Sequence, residues 1–170
     1  EKIYLTASGG PFLKLNINKF SKISPKDAIK HPKWSMGKKI SVDSATLMNK
    51  VLEITEATKL FPFKLNQYKI IVHPESLIHA IIKLKNGTSL FLYHQPDMKI
   101  PIGNALIEDF NYRSFSKQKI KNYNEMYNLN FFPVDKKKFP SVNLIPEMNS
   151  RKSSPIIINA ANEIFVDEFL

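Results

Sequence analysis

The sequence predicts an α+β fold: a mixed or antiparallel sheet with helices packed on one side, followed by the start of a helical C-terminal domain. Three observations predict it. Short runs with strand alternation occur at residues 2–7, 68–72, 78–84 and 88–93. The last two flank Asn86-Gly87, a strong two-residue hairpin signal, so that part of the sheet is antiparallel. Helical stripes and strands also do not alternate strictly, as a doubly wound sheet requires.

Taken in order, KIYLTA reads as the first strand and runs into the break Ser8-Gly9-Gly10-Pro11. Ser24-Pro25 places an N-cap before a proline in the first helical turn and opens a short helix to about residue 31. WSMGKK reads as loop and KISV as a short extended piece. Ser44 reads as the N-cap of the main helix, which runs to about residue 60, before Phe61-Pro62. Leu47, Val51, Ile54, Thr58 and Phe61 form one apolar stripe at helical spacing, with Asn49, Lys50, Glu53 and Glu56 opposite. After the strand at 68–72 and the hairpin, HQPDMKIP reads as loop and residues 102–109 as a short helix. Residues 110–138 are rich in lysine and asparagine and read as an irregular connecting region. A helix is expected within 140–148, and Ser154-Pro155 opens the last one, with Ile157, Ala160, Ala161, Ile164 and Val166 on its apolar side. The organisation expected is a sheet-containing portion at 1–109 with a flexible segment at about 14–38, the connection at 110–138, and a helical C-terminal part from 139 to 170. The chain opens one residue before a strand and stops inside an amphipathic helix, which suggests a piece of a larger protein.

Composition narrows the classes. With 170 residues and 43% apolar content the chain can build a real core. It has no apolar run long enough to span a bilayer and no basic segment leading into an apolar one at its start. With no cysteine, disulfide frameworks and thiolate metal sites are excluded. The net charge of +10 suits anionic partners, from phosphorylated metabolites to nucleic acid. Arginine, the side chain best suited to phosphate and base readout, occurs only at 113 and 151, so the lysine excess reads as compositional bias and not as a basic face.

Candidate chemistry concentrates between His31 and Glu53, in HPKWSMGKKISVDSATLMNKVLE. Ser44 at a helix start is either a plain cap or part of an anion site made with the free N–H groups and dipole of that helix, with Asn49 and Lys50 supplying further donors. Ser8-Gly9-Gly10 is either a plain turn or a place where backbone N–H groups approach an anion. Glu53 is either the i,i+3 partner of Lys50 or a ligand for a hard cation. His31 at a helix end answers the dipole or binds an anion. Trp34, the sole tryptophan, sits in a polar loop and suits a lid or a stacking surface. His79 reads as a strand residue, and His73 and His94 are left open, since no zinc spacing is present. Two other classes compete with an enzyme: a basic nucleic-acid-binding module and a purely structural interaction fragment.

LTASGGPF, HPKWSMGKKISVDSATLMNKVLE, VHPESLIHA, QPDMKIPI and NAANEI, in this order, resemble the 1-deoxy-D-xylulose 5-phosphate reductoisomerase family. The resemblance implies metal-dependent isomerisation and NADPH reduction of that sugar phosphate to 2-C-methyl-D-erythritol 4-phosphate, in non-mevalonate isoprenoid synthesis. Carried onto this sequence, it assigns the substrate phosphate to Ser8, His31, Ser44, Asn49 and Lys50, and Mg²⁺ or Mn²⁺ to Glu53. Lys50 and Glu53 become the catalytic pair, Trp34 and Met36 parts of the lid, and Met36 and Met98 neighbours of the nicotinamide. It further implies phosphonate inhibitors, a homodimer, and work in bacterial cytoplasm or an apicoplast-like plastid, with neither nucleic acid nor membrane as partner. The family's NADPH-binding Rossmann domain and its upstream Asp-x-Glu metal ligands have no counterpart in the 170 residues, so the chain alone is expected to be inactive.

Overall fold

The computed structural model describes residues 1–32, 36–111 and 128–170. Trp34 and most of the expected connecting region lie outside the described residues. Strands β1 (Lys2–Ala7), β2 (Tyr68–Val72), β3 (Ile78–Lys83), β4 (Ser89–Tyr93) and β5 (Phe132–Pro133) form one sheet in the order β4-β3-β1-β2-β5. β1 is parallel to β2, with Ile3 beside Tyr68 and Ala7 beside Val72; every other pairing is antiparallel. The sheet is mixed, as expected. β5 was not expected: its Phe-Pro pair sits in a stretch without alternation and takes strand form only by pairing with β2.

The helices are α1 (Pro25–Ala28), α2 (Lys38–Thr46), α3 (Met48–Leu60), α4 (Lys99–Leu106), α5 (Ile145–Met148) and α6 (Ser154–Phe169). Ser24 opens α1 with its backbone N–H and its hydroxyl both donating to the Asp27 carboxylate, at 3.0 and 2.6 Å. These bonds hold Asp27 below the usual carboxylate range.

Two expectations fail in the next segment. KISV is helical, not extended, and Ser44 is not an N-cap. Gly37 caps α2, and Ser44 lies in the last turn of that helix. Ile40 and Val42 are weak helix formers, but burial of Val42 and Ala45 outweighs their local preference. Leu47 separates α2 from α3 in a left-handed conformation, φ 63° and ψ 14°. Its side chain is 1% exposed, packed with Ala7, Phe139 and Val142.

α3 buries Val51 and Ile54, and Ile54 lies against Ile3 and Tyr68 of the sheet. Phe61 leaves the expected stripe because the helix ends at Leu60 and Phe61 is extended and 55% exposed. The stretch from 14 to 32 carries more apolar packing than its sequence suggested: Leu15, Phe20, Ile23 and Ile29 lie against Phe12, Ala28, Val42, Ala45 and Val166. α6 differs in the opposite sense. Val166 is buried, but Ile157 and Ile164 are 64% and 62% exposed. No helix among the described residues is long and apolar enough to cross a membrane.

Gly10 lies against α2. Its φ is +61°, and a Cβ there would stand 2.8 Å from the Ser44 carbonyl oxygen and 2.9 Å from Ala45 Cα, both backbone atoms. Gly10→Ala should therefore lower stability by about 1–3 kcal/mol, through backbone strain and overpacking. Gly37 is an N-cap, and a Cβ added to it would meet nothing within 4 Å, so it should accept serine within about 0.5 kcal/mol. Urea unfolding of both variants checks the contrast; equal losses would show that loop 8–10 yields to the added methyl.

Candidate active-site cleft

One cleft of about 580 Å³ opens where β1, β3, α2 and α3 meet, with the Met98–Pro101 stretch at its rim. β1 delivers Ser8, whose Oγ accepts from the Gly10 N–H at 3.1 Å and lies 2.9 Å from His31 Nε2. Burial pushes His31 below its ordinary value. Thr6 ties β1 to the neighbouring strand by donating to the Ile78 carbonyl at 2.6 Å. Ser44 reaches the cleft from the last turn of α2, and Asn49, Lys50 and Glu53 from the first two turns of α3.

Lys50 Nζ stands 2.6 Å from Glu53 Oε2, so the i,i+3 pair expected from the sequence is formed. Asn49 Nδ2 donates to Glu53 Oε1 at 3.4 Å, while its Oδ1 is buried without a partner among the described residues. The expected anion site at the N–H groups of the main helix needs correction. Met48 N–H is taken by Thr46 Oγ1, and the N–H groups of Lys50 and Val51 both go to the Leu47 carbonyl. What the cleft offers an anion is chiefly the side chains of Ser8, His31, Ser44, Asn49 and Lys50.

The turn at 73–77 contributes a residue the sequence reading missed. Ser76 is left-handed, φ 57°, and its buried Oγ has no partner among the described residues. The turn is held by His73, fully buried, whose Nε2 accepts from the Leu77 N–H at 3.2 Å. Its Nδ1 is then the protonated nitrogen and donates to the Asn130 carbonyl at 2.9 Å. The ring stacks on Phe131 with centroids 4.7 Å apart. His79 and His94 also line the cleft, stacked at 3.6 Å and 9°. His79 Nε2 donates to the His94 carbonyl at 3.0 Å. Burial, partly opposed by that bond and reinforced by the nearby charges of His94 and Lys50, lowers His79 to about 4. The signal for Ser76 and His79 was the VHPESLIHA segment, where alternation puts Ser76 off the strand and His79 on it.

The structure thus brings Ser8, His31, Met36, Ser44, Asn49, Lys50, Glu53 and Met98 into one cleft. Trp34 lies outside the described residues. Among the described residues no three His, Asp or Glu side chains gather as a metal cage, and Glu53 is the one carboxylate among the described residues that line the cleft.

The fold and cleft define an α+β module of the kind found in enzymes, with hydroxyl, imidazole, amide and ammonium groups set beside one carboxylate. Two family models match it: the 1-deoxy-D-xylulose 5-phosphate reductoisomerase C-terminal domain over residues 1–61, and the DXP reductoisomerase C-terminal domain over residues 94–170. The chain is 47% identical, over its whole length, to the 1-deoxy-D-xylulose 5-phosphate reductoisomerase of Pelagibacter ubique, of which it covers 44%. It is 45% identical to that of Acinetobacter baumannii, of which it covers 42%. A crystal structure of DOX-P reductoisomerase in complex with NADPH, fosmidomycin and magnesium superposes with a TM-score of 0.85 at 38% identity, over 99% of this chain and 41% of that one. The Zymomonas mobilis enzyme in complex with NADPH gives 0.84 at 35%, over 99% and 43%. The chain belongs to the 1-deoxy-D-xylulose 5-phosphate reductoisomerase family, whose C-terminal region it matches. It spans less than half the length of the curated relatives it matches.

The partly buried His79 has a consequence for stability. An unfolded imidazole takes a proton near 6.5 and folded His79 only near 4, so between these values the unfolded chain binds more protons. Stability should be full above pH 6.5 and fall as the pH drops toward 4. The urea midpoint should be lower at pH 5 than at pH 7, and the difference should shrink in His79→Gln. An equal difference in the variant would place the proton uptake elsewhere.

Proposed function

We propose that this chain supplies the substrate-binding part of an NADPH-dependent reductoisomerase that converts 1-deoxy-D-xylulose 5-phosphate to 2-C-methyl-D-erythritol 4-phosphate in isoprenoid synthesis. The observation that supports this most is the convergence of Ser8, His31, Ser44, Asn49 and Lys50 with Glu53 in one cleft of about 580 Å³. In this reading the hydroxyls of Ser8 and Ser44, the His31 ring, the Asn49 amide and the Lys50 ammonium hold the phosphate. Lys50 also lies beside the reacting oxygens, and Ser76 offers its unpaired hydroxyl to the body of the sugar.

The donor set suits a hard cation in part. Glu53 would be one anionic oxygen ligand for Mg²⁺ or Mn²⁺, with Lys50 turning from it toward the substrate, and the other ligands would come from outside these residues. When bound, the cation would polarise the substrate's ketone and hydroxyl oxygens. Met36 and Met98 would face the nicotinamide of NADPH, which supplies the hydride. Met36 belongs to a cover that excludes water when a sugar phosphate or a phosphonate inhibitor is seated, and Trp34, expected beside it, lies outside the described residues. With one carboxylate for a cation and two methionines for a nicotinamide, the 170 residues alone are proposed to bind without turnover.

The exposed run Leu90, Phe91 and Leu92 on the edge strand β4 supports a homodimer as the working form. The compartment that goes with this reading is bacterial cytoplasm or a plastid. The nucleic-acid alternative draws no support from the concave arrangement of these donors.

In the full enzyme containing these residues, Ser44→Ala or Asn49→Ala should raise KM for the sugar phosphate by about ten- to a hundredfold, the worth of a charge-assisted hydrogen bond. Steady-state kinetics decides, and an unchanged KM in both variants removes the phosphate from this cleft. Glu53→Gln keeps shape and removes charge, so activation by Mg²⁺ should require much higher concentrations while the fold persists. An unchanged Mg²⁺ midpoint would leave Glu53 as the partner of Lys50 alone.

A further inference from the structure

Asp43 precedes Ser44 in α2, and its side chain is 1% exposed. It is held from two sides. Lys39 Nζ, one turn back on the same helix, lies 2.7 Å from Oδ2. Asn162 Nδ2, from α6, donates to Oδ1 at 2.9 Å across 119 residues of sequence. Lys39 also reaches Glu163 at 3.2 Å, so both helices share one cation. Only the amide nitrogen of Asn162 can donate to a carboxylate, which fixes the orientation of that amide.

A buried carboxylate paired with a partly exposed ammonium is a poor source of stability, because desolvation of the carboxylate offsets much of the attraction. What such a pair provides is a defined geometry. Successive helical residues project about 100° apart, so Asp43 can face α6 while its neighbour Ser44 faces the cleft. On another side the last turn of α2 meets the backbone of loop 8–10, where Gly10 leaves no room for a Cβ. α2 is nine residues long, and its last turn has contacts on both flanks that leave it little freedom.

We propose that Asp43 and Asn162 are positioning residues for anion binding: their hydrogen bond, secured by Lys39, locks α2 to α6 and so sets the place of the Ser44 hydroxyl in the cleft. This rests on the phosphate-binding reading of that cleft. Through this bond α6, which contributes no residue to the cleft lining, contributes to affinity.

The test is an NMR titration of the 170-residue chain with inorganic phosphate, at a temperature where circular dichroism shows each variant folded. Asn162→Ala should weaken phosphate binding about tenfold. Asn162→Asp sets two carboxylates face to face and should weaken it further. Adding Asp43→Asn to Asn162→Asp restores one donor and one acceptor with their places exchanged, and should return the dissociation constant to within about threefold of the parent. Removal of a merely structural bond would lower the melting temperature and leave phosphate affinity unchanged, and that result overturns the proposal. So does failure of the exchange to restore binding in a folded double variant. If Asn162→Asp does not fold, Asn162→Ala decides alone. If the parent does not bind phosphate, or Ser44→Ala binds as the parent does, the reading of the cleft falls and takes this proposal with it; a parent that binds beside an unaffected Asn162→Ala removes only the role of Asp43 and Asn162.

Discussion

The left-handed backbone of Leu47 is the constraint on which the cleft depends. An L-residue in that conformation costs roughly 1–2 kcal/mol. Burying a leucine side chain contributes about 1.5–3 kcal/mol, and Leu47 is 1% exposed against Ala7, Phe139 and Val142, so packing offsets the strain. If α2 and α3 were one continuous helix, Ser44 and Asn49 would project about 140° apart and could not face a common volume. The break at Leu47 lets the last turn of one helix and the first turn of the next look into the same space. It also engages the N–H groups of Met48, Lys50 and Val51 at the start of α3, so the cleft presents hydroxyls, an amide and an ammonium more than an open helix end.

The walls of the cleft share a second property: firm support beneath polar atoms that remain unsatisfied. Ser76 is held in a left-handed turn by a fully buried histidine, itself fixed by two backbone partners and an aromatic stack. Its hydroxyl nevertheless has no partner among the described residues, and neither has Oδ1 of Asn49. Buried polar groups without hydrogen bonds cost stability, and interiors rarely keep them without use. Their placement on rigid turns means that a ligand completing those bonds need not order them first.

Much of this was legible in the sequence, and what was not has identifiable causes. The hairpin at Asn86-Gly87 and the strand at 68–72 were visible because their signals are local. α2 was not, because Ile40 and Val42 favour extended structure locally and only the tertiary burial of Val42 and Ala45 reverses that. Ser44 was assigned to the wrong helix for a related reason: a serine before an apolar stripe looks like a cap, and nothing local announces that a leucine will turn left-handed. The residues facing the cleft were nonetheless those singled out, since donors crowded into one segment remain visible even when the helix boundary is misplaced. Ser76 was not singled out, and His79 and His94 were not placed at the cleft, because their convergence comes from strand pairing and a buried histidine, features that connect distant residues.

β1 occupies the centre of the sheet, paired with β2 on one side and β3 on the other. Both partners lie far downstream, the nearer pairing Ile3 with Tyr68. A polypeptide leaving the ribosome at about 5–20 residues per second therefore carries an apolar strand without a mate for several seconds. The strand that leads into Ser8 waits longest for its neighbours, and helical packing around it forms from contacts closer in sequence. Acquisition of the cleft should accordingly be a late event of folding, governed by the slow search that distant, partly parallel pairing imposes.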